Sequence, residues 1–254
     1  MILQLDAGNS RIKWRLLDPV TGEAAARGVV THGEHLQLPE ALAKPQEVQL
    51  ASVAGKAQHD ALVEWVKNQL KLPVHEASTQ QQQGCLRNSY QEPVTMGVDR
   101  WLAMLSASHR FAGGVAVLDA GSALTLDYVA ADGHHLGGYI LPGVTTMARS
   151  LKQDTARVPF QFDDIVHSAS TQKPGQCTQD CVSGGLVWLM EQLMAGVRRD
   201  MEHYRLAQLV ITGGDGRLLC PQPQGGTYIE PELVLDGLGR YWQLQRRESR
   251  GVSS

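Results

Sequence analysis

The sequence predicts layered α/β or α+β architecture in which one strand–turn–strand unit is used twice. Three observations carry that expectation. The chain opens MILQLDAGNSRIKWRLLD and later reads VAVLDAGSALTLDYVAADG, so an apolar run ending in L-D-A-G returns with Asp119 in the place of Asp6. Around both turns apolar residues alternate with period two, as in half-buried strands. Three other stretches, HDALVEWVKNQL, DRWLAMLSASHRF and GGLVWLMEQLMAGVRRDMEHY, have helical periodicity. Two copies at a long period indicate a duplicated domain and not a solenoid. The boundary is expected near FAGG, giving domains of 1–113 and 114–254.

In the first hairpin Ile12, Trp14 and Leu16 should face one way and Arg11, Lys13 and Arg15 the other, with D-A-G-N-S-R supplying the turn. HDALVEWVKNQL follows as a helix. STQQQQGCLRNS, residues 78–89, is polar and poor in apolar side chains, and reads as an exposed connection or lid. DRWLAMLSASHRF is the next helix, with Gly97 just ahead of it. LDAGSALTLDYV repeats the hairpin, Leu124, Leu126 and Tyr128 following its turn, and GHHLGGYILPG is the strand after that. His134 and His135 read as a solvated turn, with metal binding by the pair the lesser alternative. KPGQCTQD is a loop ending at a helix start that Thr178 or Asp180 can cap. The terminal RRESRGVSS is expected to fray.

Composition excludes several classes of function. A chain of 254 residues can bury a core for one large domain or two smaller ones. Hydrophobic residues at 43% and charged ones at 19% give no support to disorder. The net charge of −3, without a dense Lys/Arg block, lacks the footprint of a nucleic-acid binder. No apolar stretch approaches the about 18 residues of a membrane span. No basic region precedes the first apolar run, which Asp6 interrupts, so no signal peptide is read and a reducing, cytoplasmic location is expected. Cys85, Cys177, Cys181 and Cys220 fit isolated thiols. Cys177 and Cys181, four apart, would share a helix face, so a disulfide or a metal pair there is the lesser alternative, no CxxC and no nearby His completing a zinc set.

Four motifs suggest chemistry. In the first turn Gly8 permits close approach to backbone, so successive N–H groups can form an anion nest. Asn9 and Ser10 add donors, Lys13 adds charge, and Asp6 can hold Mg²⁺; a plain hairpin with a capping Asp is the bland alternative. Asp119, Gly121 and Ser122 repeat the acid and the Gly–hydroxyl pair, so two hairpins across a cleft can grip a nucleotide's β- and γ-phosphates. No P-loop and no GxGxxG occurs. In M-G-V-D-R-W, Asp99 and Arg100 fall in the first turn of a helix, whose dipole favours an ionised carboxylate. Asp99 can then take the proton of a substrate hydroxyl, and Arg100 can clamp a carboxylate. The bland reading makes Asp99 a cap and Arg100 half of a surface pair. Finally, V-I-T-G-G-D runs a strand into Gly213 and Gly214, where adenine can press on backbone.

Taken in order, D-x-G-N-S-x-x-K (Asp6 to Lys13), G-x-D-R (Gly97 to Arg100), D-x-G-S (Asp119 to Ser122), GGYILPG (Gly137 to Gly143) and T-G-G (Thr212 to Gly214) resemble the type III pantothenate kinases. The match runs from residue 2 to about PELVLDGL at 231–238. The resemblance implies the actin-like and sugar-kinase superfamily, with two duplicated ribonuclease-H-like domains and a cleft between them. It implies ATP-dependent phosphorylation of the primary hydroxyl of pantothenate, the first step towards coenzyme A. Mg²⁺, a monovalent cation (K⁺ or NH₄⁺) near Asp119, and a homodimer with substrate near its interface come with it.

Residue by residue, the resemblance makes Asp6, Gly8, Asn9, Ser10, Arg11 and Lys13 the first phosphate loop, with Asp6 also a metal ligand. Ser122 belongs to the second loop, and Gly213 and Gly214 to the nucleotide site. Asp99 is the general base, Gly97, Val98, Asp99 and Arg100 line the pantothenate site, and Tyr90 and Thr178 touch pantothenate. Ser10 and Ser122 stand where the family often has Thr, and each keeps the hydroxyl. Two alternatives remain: a nucleotide-binding accessory factor for transcription without catalysis, and a kinase of the same superfamily for another small alcohol or acid. Asp6, Asp99 and Asp119 argue against the first, since a pure binder needs no base. The helix bearing Trp101, Leu102, Met104 and Leu105 is apolar over more than one stripe, so a second face is buried by a partner subunit or within one subunit.

Overall fold

Alternating and apolar runs become two five-stranded sheets. The computed structural model describes residues 1–34, 36, 38–39, 42–154, 174–249 and 251. In the first sheet β1 (Ile2–Ala7) and β2 (Arg11–Leu17) form the predicted antiparallel hairpin, with Asp6 opposite Lys13 and Ala7 opposite Ile12. β3 (Ala24–Thr31) pairs antiparallel with β2, β4 (Glu47–Ser52) runs parallel to β1, and β5 (Val74–Glu76) parallel to β4. The order is β3-β2-β1-β4-β5. Helix α1 (Lys56–Trp65) continues through a wider π-turn, Val66–Leu70, and supplies the crossover that parallel strands require.

The second sheet repeats this plan. After the short ribbon β6 (Gln82–Gln83) and β7 (Leu86–Arg87), strands β8 (Val115–Ala120) and β9 (Ala123–Val129) form the second hairpin. β10 (His135–Pro142), β11 (Gln208–Thr212) and β12 (Thr227–Ile229) complete the order β10-β9-β8-β11-β12, with β11 parallel to β8. Matching order and matching parallel pair make this a duplicated α/β fold. The helices are α2 (Val98–Arg110), α3 (Val144–Asp154), α4 (Thr178–Tyr204), the single turn α5 (Gly216–Leu219) and α6 (Leu233–Ser249). Among the described residues no helix is long and apolar enough to cross a membrane.

Two cores result. Leu3, Leu5, Trp14, Leu16 and Leu50 centre the first, and Leu118, Leu124, Leu126, Leu209 and Ile211 the second; each buried Leu stabilises by about 1.5–3 kcal/mol. The compact units are the described residues of Met1–Arg110, Gly133–His135 and Glu232–Ser254, and those of Phe111–Asp132 and Leu136–Pro231. The first crossing lies within three residues of the expected cut at 113/114. A single cut does not anticipate the chain's return to the first unit. That return has a packing cause. A Cβ at Gly237 would collide with the carbonyl oxygen of Leu102, so α6 and α2 approach backbone to backbone where only glycine fits.

Several expectations need correction. Alternation gave Arg15 a face but not its cover: the residue is buried because α6 covers its side of the hairpin. Its Nε donates to Gln4 Oε1 at 2.7 Å, Nη1 to Asp236 Oδ1 at 2.6 Å and Nη2 to the Leu235 carbonyl at 2.8 Å. Residues 78–89 are no exposed lid. Leu86 is fully buried, and the Gln83 amide is satisfied by Trp101 Nε1 and by the Tyr241 carbonyl. His135 belongs to no solvated turn, since it too is fully buried. Neither Thr178 nor Asp180 caps α4: the helix opens at Thr178, Cys177 is its N-cap, and no side chain bonds there. Part of KPGQCTQD, and residues 250 and 252–254 of the tail, lie outside the described residues, but α6 stays helical through Ser249. Finally, α2 buries Trp101, Leu102, Met104 and Leu105 within one subunit. Its apolar surface therefore gives no argument for a partner chain.

Candidate active site

Ligands of open sheets gather at the carboxyl ends of parallel strands. In the first unit those ends belong to β1 and β4. The turn after β1 is closed by the Gly8 N–H donating to the Arg11 carbonyl at 3.0 Å, so an anion nest here begins at Asn9 and not at Gly8. Asn9 and Ser10 are exposed at the tip. The Gly8 carbonyl is held from behind by His32 Nε2, which donates to it at 2.7 Å, and the Ala7 carbonyl accepts the Val53 N–H at 3.0 Å.

Val53 follows β4, and against it lies the head of α2. A Cβ added at Gly97 would sit 3.5 Å from Val53 Cγ1 and 2.5 Å from Asp99 Oδ1. The Asp99 carboxylate thus occupies the space that a side chain at 97 would need, at the same sheet edge as the first turn. Its Oδ1 accepts the Arg100 N–H at 2.8 Å. Arg100 is buried, not half of a surface pair. Its Nη1 donates to Tyr90 Oη at 2.9 Å, and its Cζ lies 5.7 Å from the centre of the Tyr90 ring. A guanidinium beside a phenol offers several donors to a carboxylate.

In the second unit the corresponding edge is formed by β8 and β11, with Asp119 opposite Thr212. The Gly121 N–H donates to the Ala123 carbonyl at 3.0 Å, closing the turn. The start of α3 anchors it: the Ser122 carbonyl accepts from the Gly143 N–H at 3.0 Å and from Thr146 Oγ1 at 2.7 Å. Gly213 has φ +89°, and a Cβ there would lie 2.5 Å from Asp119 Oδ1, so glycine is required. Among the described residues the buried Thr212 hydroxyl, in register with Asp119, has no hydrogen-bond partner. Thr178 and Gly214 are exposed.

Within the first unit, then, the hairpin residues Asp6 to Lys13 share a sheet edge with Gly97, Val98, Asp99 and Arg100, and Tyr90 meets Arg100. Within the second, Asp119, Ser122 and Gly213 cluster. Among the described residues no group of three or more His, Cys, Asp or Glu could hold a metal. The cysteines are free thiols, Cys177 and Cys181 exposed. The second unit also has a cavity of about 350 Å³ lined by Val144, Val187, Met190, Met194, Leu218 and Leu219 among others, and no predicted site residue lines it. Sequence reasoning missed His32, Asn88, Ser89, His135 and Thr212. Thr212 had entered only as part of the T-G-G motif, and His135 as a turn.

Comparison with known proteins gives the family and the fold. The family model for type III pantothenate kinase matches residues 2–200. Over 241 residues the chain is 40% identical to a type III pantothenate kinase of Marinobacter nauticus, covering 94% of this chain and 97% of that protein. Over 249 residues it is 33% identical to one from Pseudomonas aeruginosa, with the same coverage, 94% and 97%. Among solved structures, a ROK family glucokinase from Streptomyces griseus in complex with glucose and AMPPNP superposes with TM-score 0.51 at 12% identity, over 96% of this chain and 99% of that one. A Campylobacter jejuni protein described as a Baf family transcriptional activator superposes with TM-score 0.62 at 20% identity, over 96% and 99%. Both likenesses concern the fold alone. By sequence, the chain belongs to the type III pantothenate kinase family.

Proposed function

We propose that this chain transfers the γ-phosphoryl group of ATP to the primary hydroxyl of pantothenate, giving phosphopantothenate and ADP. The observation that carries the proposal is the head of α2, where Asp99 lies at the sheet edge of the first phosphate turn and next to the buried Arg100–Tyr90 pair. Arg100 and Tyr90 bind the carboxylate of pantothenate, Gly97 and Val98 line its site, and Thr178 contacts it. Asp99 accepts the hydroxyl proton as the oxygen attacks the γ-phosphorus and the bond to the β-phosphate oxygen breaks. Asn9, Ser10, Arg11 and Lys13 grip the phosphates on a turn shaped by Gly8. Ser122 does so from the second turn, and Gly213 and Gly214 leave backbone open to adenine.

Asp6 is a half-buried carboxylate at a strand end, suited to a Mg²⁺ ion whose other ligands are water and phosphate oxygens. When bound, the ion neutralises charge on the β- and γ-phosphates. Asp119 with the unpartnered Thr212 hydroxyl offers oxygen donors that fit a monovalent cation such as K⁺ or NH₄⁺. A homodimer and a cytoplasmic location follow the family resemblance and stand as part of the proposal, as does the absence of nucleic-acid or membrane partners.

The test is purified protein with ATP and a panel of small hydroxy acids and alcohols, read as ADP release. Release that requires pantothenate is expected. Release with another acceptor and none with pantothenate would overturn the substrate, and binding of ATP with no acceptor at all would favour the transcriptional accessory role.

A further inference from the structure

We propose that His135 and Ser89 are positioning residues for the acceptor site, fixing the Tyr90 ring and through it the Arg100 guanidinium. The proposal rests on the reading of Tyr90 and Arg100 as substrate-binding groups.

His135 is fully buried, yet it lies in neither apolar core. Its burial has another use. Nδ1 is hydrogen-bonded to Ser89 Oγ at 3.0 Å, and its ring stacks on Tyr90 with centroids 6.1 Å apart and planes inclined by 29°. That geometry is within the range of favourable offset stacking. The histidine is itself held in place. Gly133 has φ +83°, and a Cβ there would collide with the Cys85 carbonyl. The Arg87 N–H donates to the Gly133 carbonyl at 2.9 Å, so the stretch Gly133–His135 is pinned to the β6–β7 ribbon. The Tyr90 backbone is fixed separately, its N–H donating to Oδ1 of the buried Asn88 at 2.9 Å.

A chain of contacts therefore runs from Ser89 through His135 to the Tyr90 ring, and from the Tyr90 oxygen to Arg100. Because that oxygen accepts from Arg100 Nη1, the phenol keeps its own hydrogen to donate to a carboxylate. The direction in which it donates depends on the ring plane that His135 sets. Loss of this plane should weaken capture of the acceptor acid without touching the proton transfer at Asp99 or the grip on ATP.

The experiment is steady-state kinetics of Ser89→Ala and His135→Phe, with pantothenate and ATP varied in turn. Ser89 is exposed, so its Ala variant folds even should the buried substitution fail. Each variant is expected to raise KM for pantothenate by about fivefold to tenfold, the worth of one neutral hydrogen bond. The kcat and the KM for ATP should stay within about twofold, a split that general loosening of the fold does not produce. Tyr90→Phe should raise the same KM, and adding Ser89→Ala to it should have no further effect. A pantothenate KM unmoved in both variants, or an equal rise in KM for ATP, overturns the proposal while the kinase reading stands. A parent protein without pantothenate-dependent ADP release overturns both together.

Discussion

Gly97→Ala is the smallest change that reaches the proposed base, Asp99. The new Cβ would sit 2.5 Å from Asp99 Oδ1, whereas ordinary contact begins at 3.4 Å. The carboxylate must retreat by the difference, about 0.9 Å, and a displacement of that size at a reacting group costs on the order of 100-fold in rate. In free energy this is about 2.7 kcal/mol of transition-state stabilisation. Stability should hardly move, because the atom displaced ends a side chain that can rotate, and Gly97 has no left-handed φ to protect. The assay is ADP release at saturating pantothenate and ATP, beside Asp99→Asn and the double variant. Asp99→Asn should lower kcat by roughly two to four powers of ten. If Gly97 acts through Asp99, the double variant turns over no more slowly than Asp99→Asn. A Gly97→Ala enzyme with parental kcat, or a double variant that loses both factors in full, would refute the assignment of Asp99 as the base.

Three further outcomes are expected. Replacing Na⁺ by K⁺ at fixed ionic strength should raise activity, and Asp119→Asn or Thr212→Val should blunt the response; equal rates in the two salts remove the monovalent site. Arg15→Met should destabilise the fold by about 3 kcal/mol in urea titration, the low end for a broken buried pair, because Asp236 keeps Arg110 and Glu232 keeps Arg27; a loss below about 1 kcal/mol would mean the network is worth no more than a surface pair. Partial desolvation of the otherwise exposed side chain, then the nearby Arg240 and Arg247, holds the His109 imidazole below its ordinary range. The neutral form is thus favoured in the fold, its contribution is complete above the unfolded value of about 6.5, and it is lost as pH falls from there towards the folded value. Melting temperatures should accordingly drop less on acidification in His109→Gln than in the parent; identical slopes would exclude the effect.

How far the sequence could be read follows from how local each signal is. The hairpins at Asp6 and Asp119 were legible because period-two alternation and turn residues lie within one short stretch. The α2 periodicity was legible for the same reason, but not what covers it. The residue that allows α2 its close neighbour is Gly237, far along the chain, so the expectation of a second subunit had nothing nearer to weigh against it. For Arg15 likewise, alternation assigns a face but cannot say that α6 buries that face and brings Asp236 to the guanidinium. The glutamine run misled through composition. Amides are costly to bury only when unpaired, and Gln83 finds partners on α2 and α6. His135 combined both difficulties, because its partners Ser89 and Tyr90 precede it by a helix and a hairpin.

The two copies of L-D-A-G also show what duplication left free to change. Ala7 pairs with Ile12 but Ala120 with Leu124, so the first turn is one residue longer and has room for Asn9. The neighbours of the two acids differ as well. Residues directly opposite on paired strands point to the same face. Asp6 lies between Lys13 on β2 and Ala51 on β4, whereas Asp119 lies between Thr125 on β9 and Thr212 on β11. On the proposed reading, an acid whose cross-strand neighbour is a lysine can meet a phosphate together with its Mg²⁺. An acid set between two threonines has hydroxyl-bearing neighbours in register on either side. Such a set suits a cation held mainly by the protein. One backbone frame thus carries different neighbours at its two acids, and on the proposed reading these neighbours, more than the acid itself, assign phosphate to the first turn and the monovalent ion to the second.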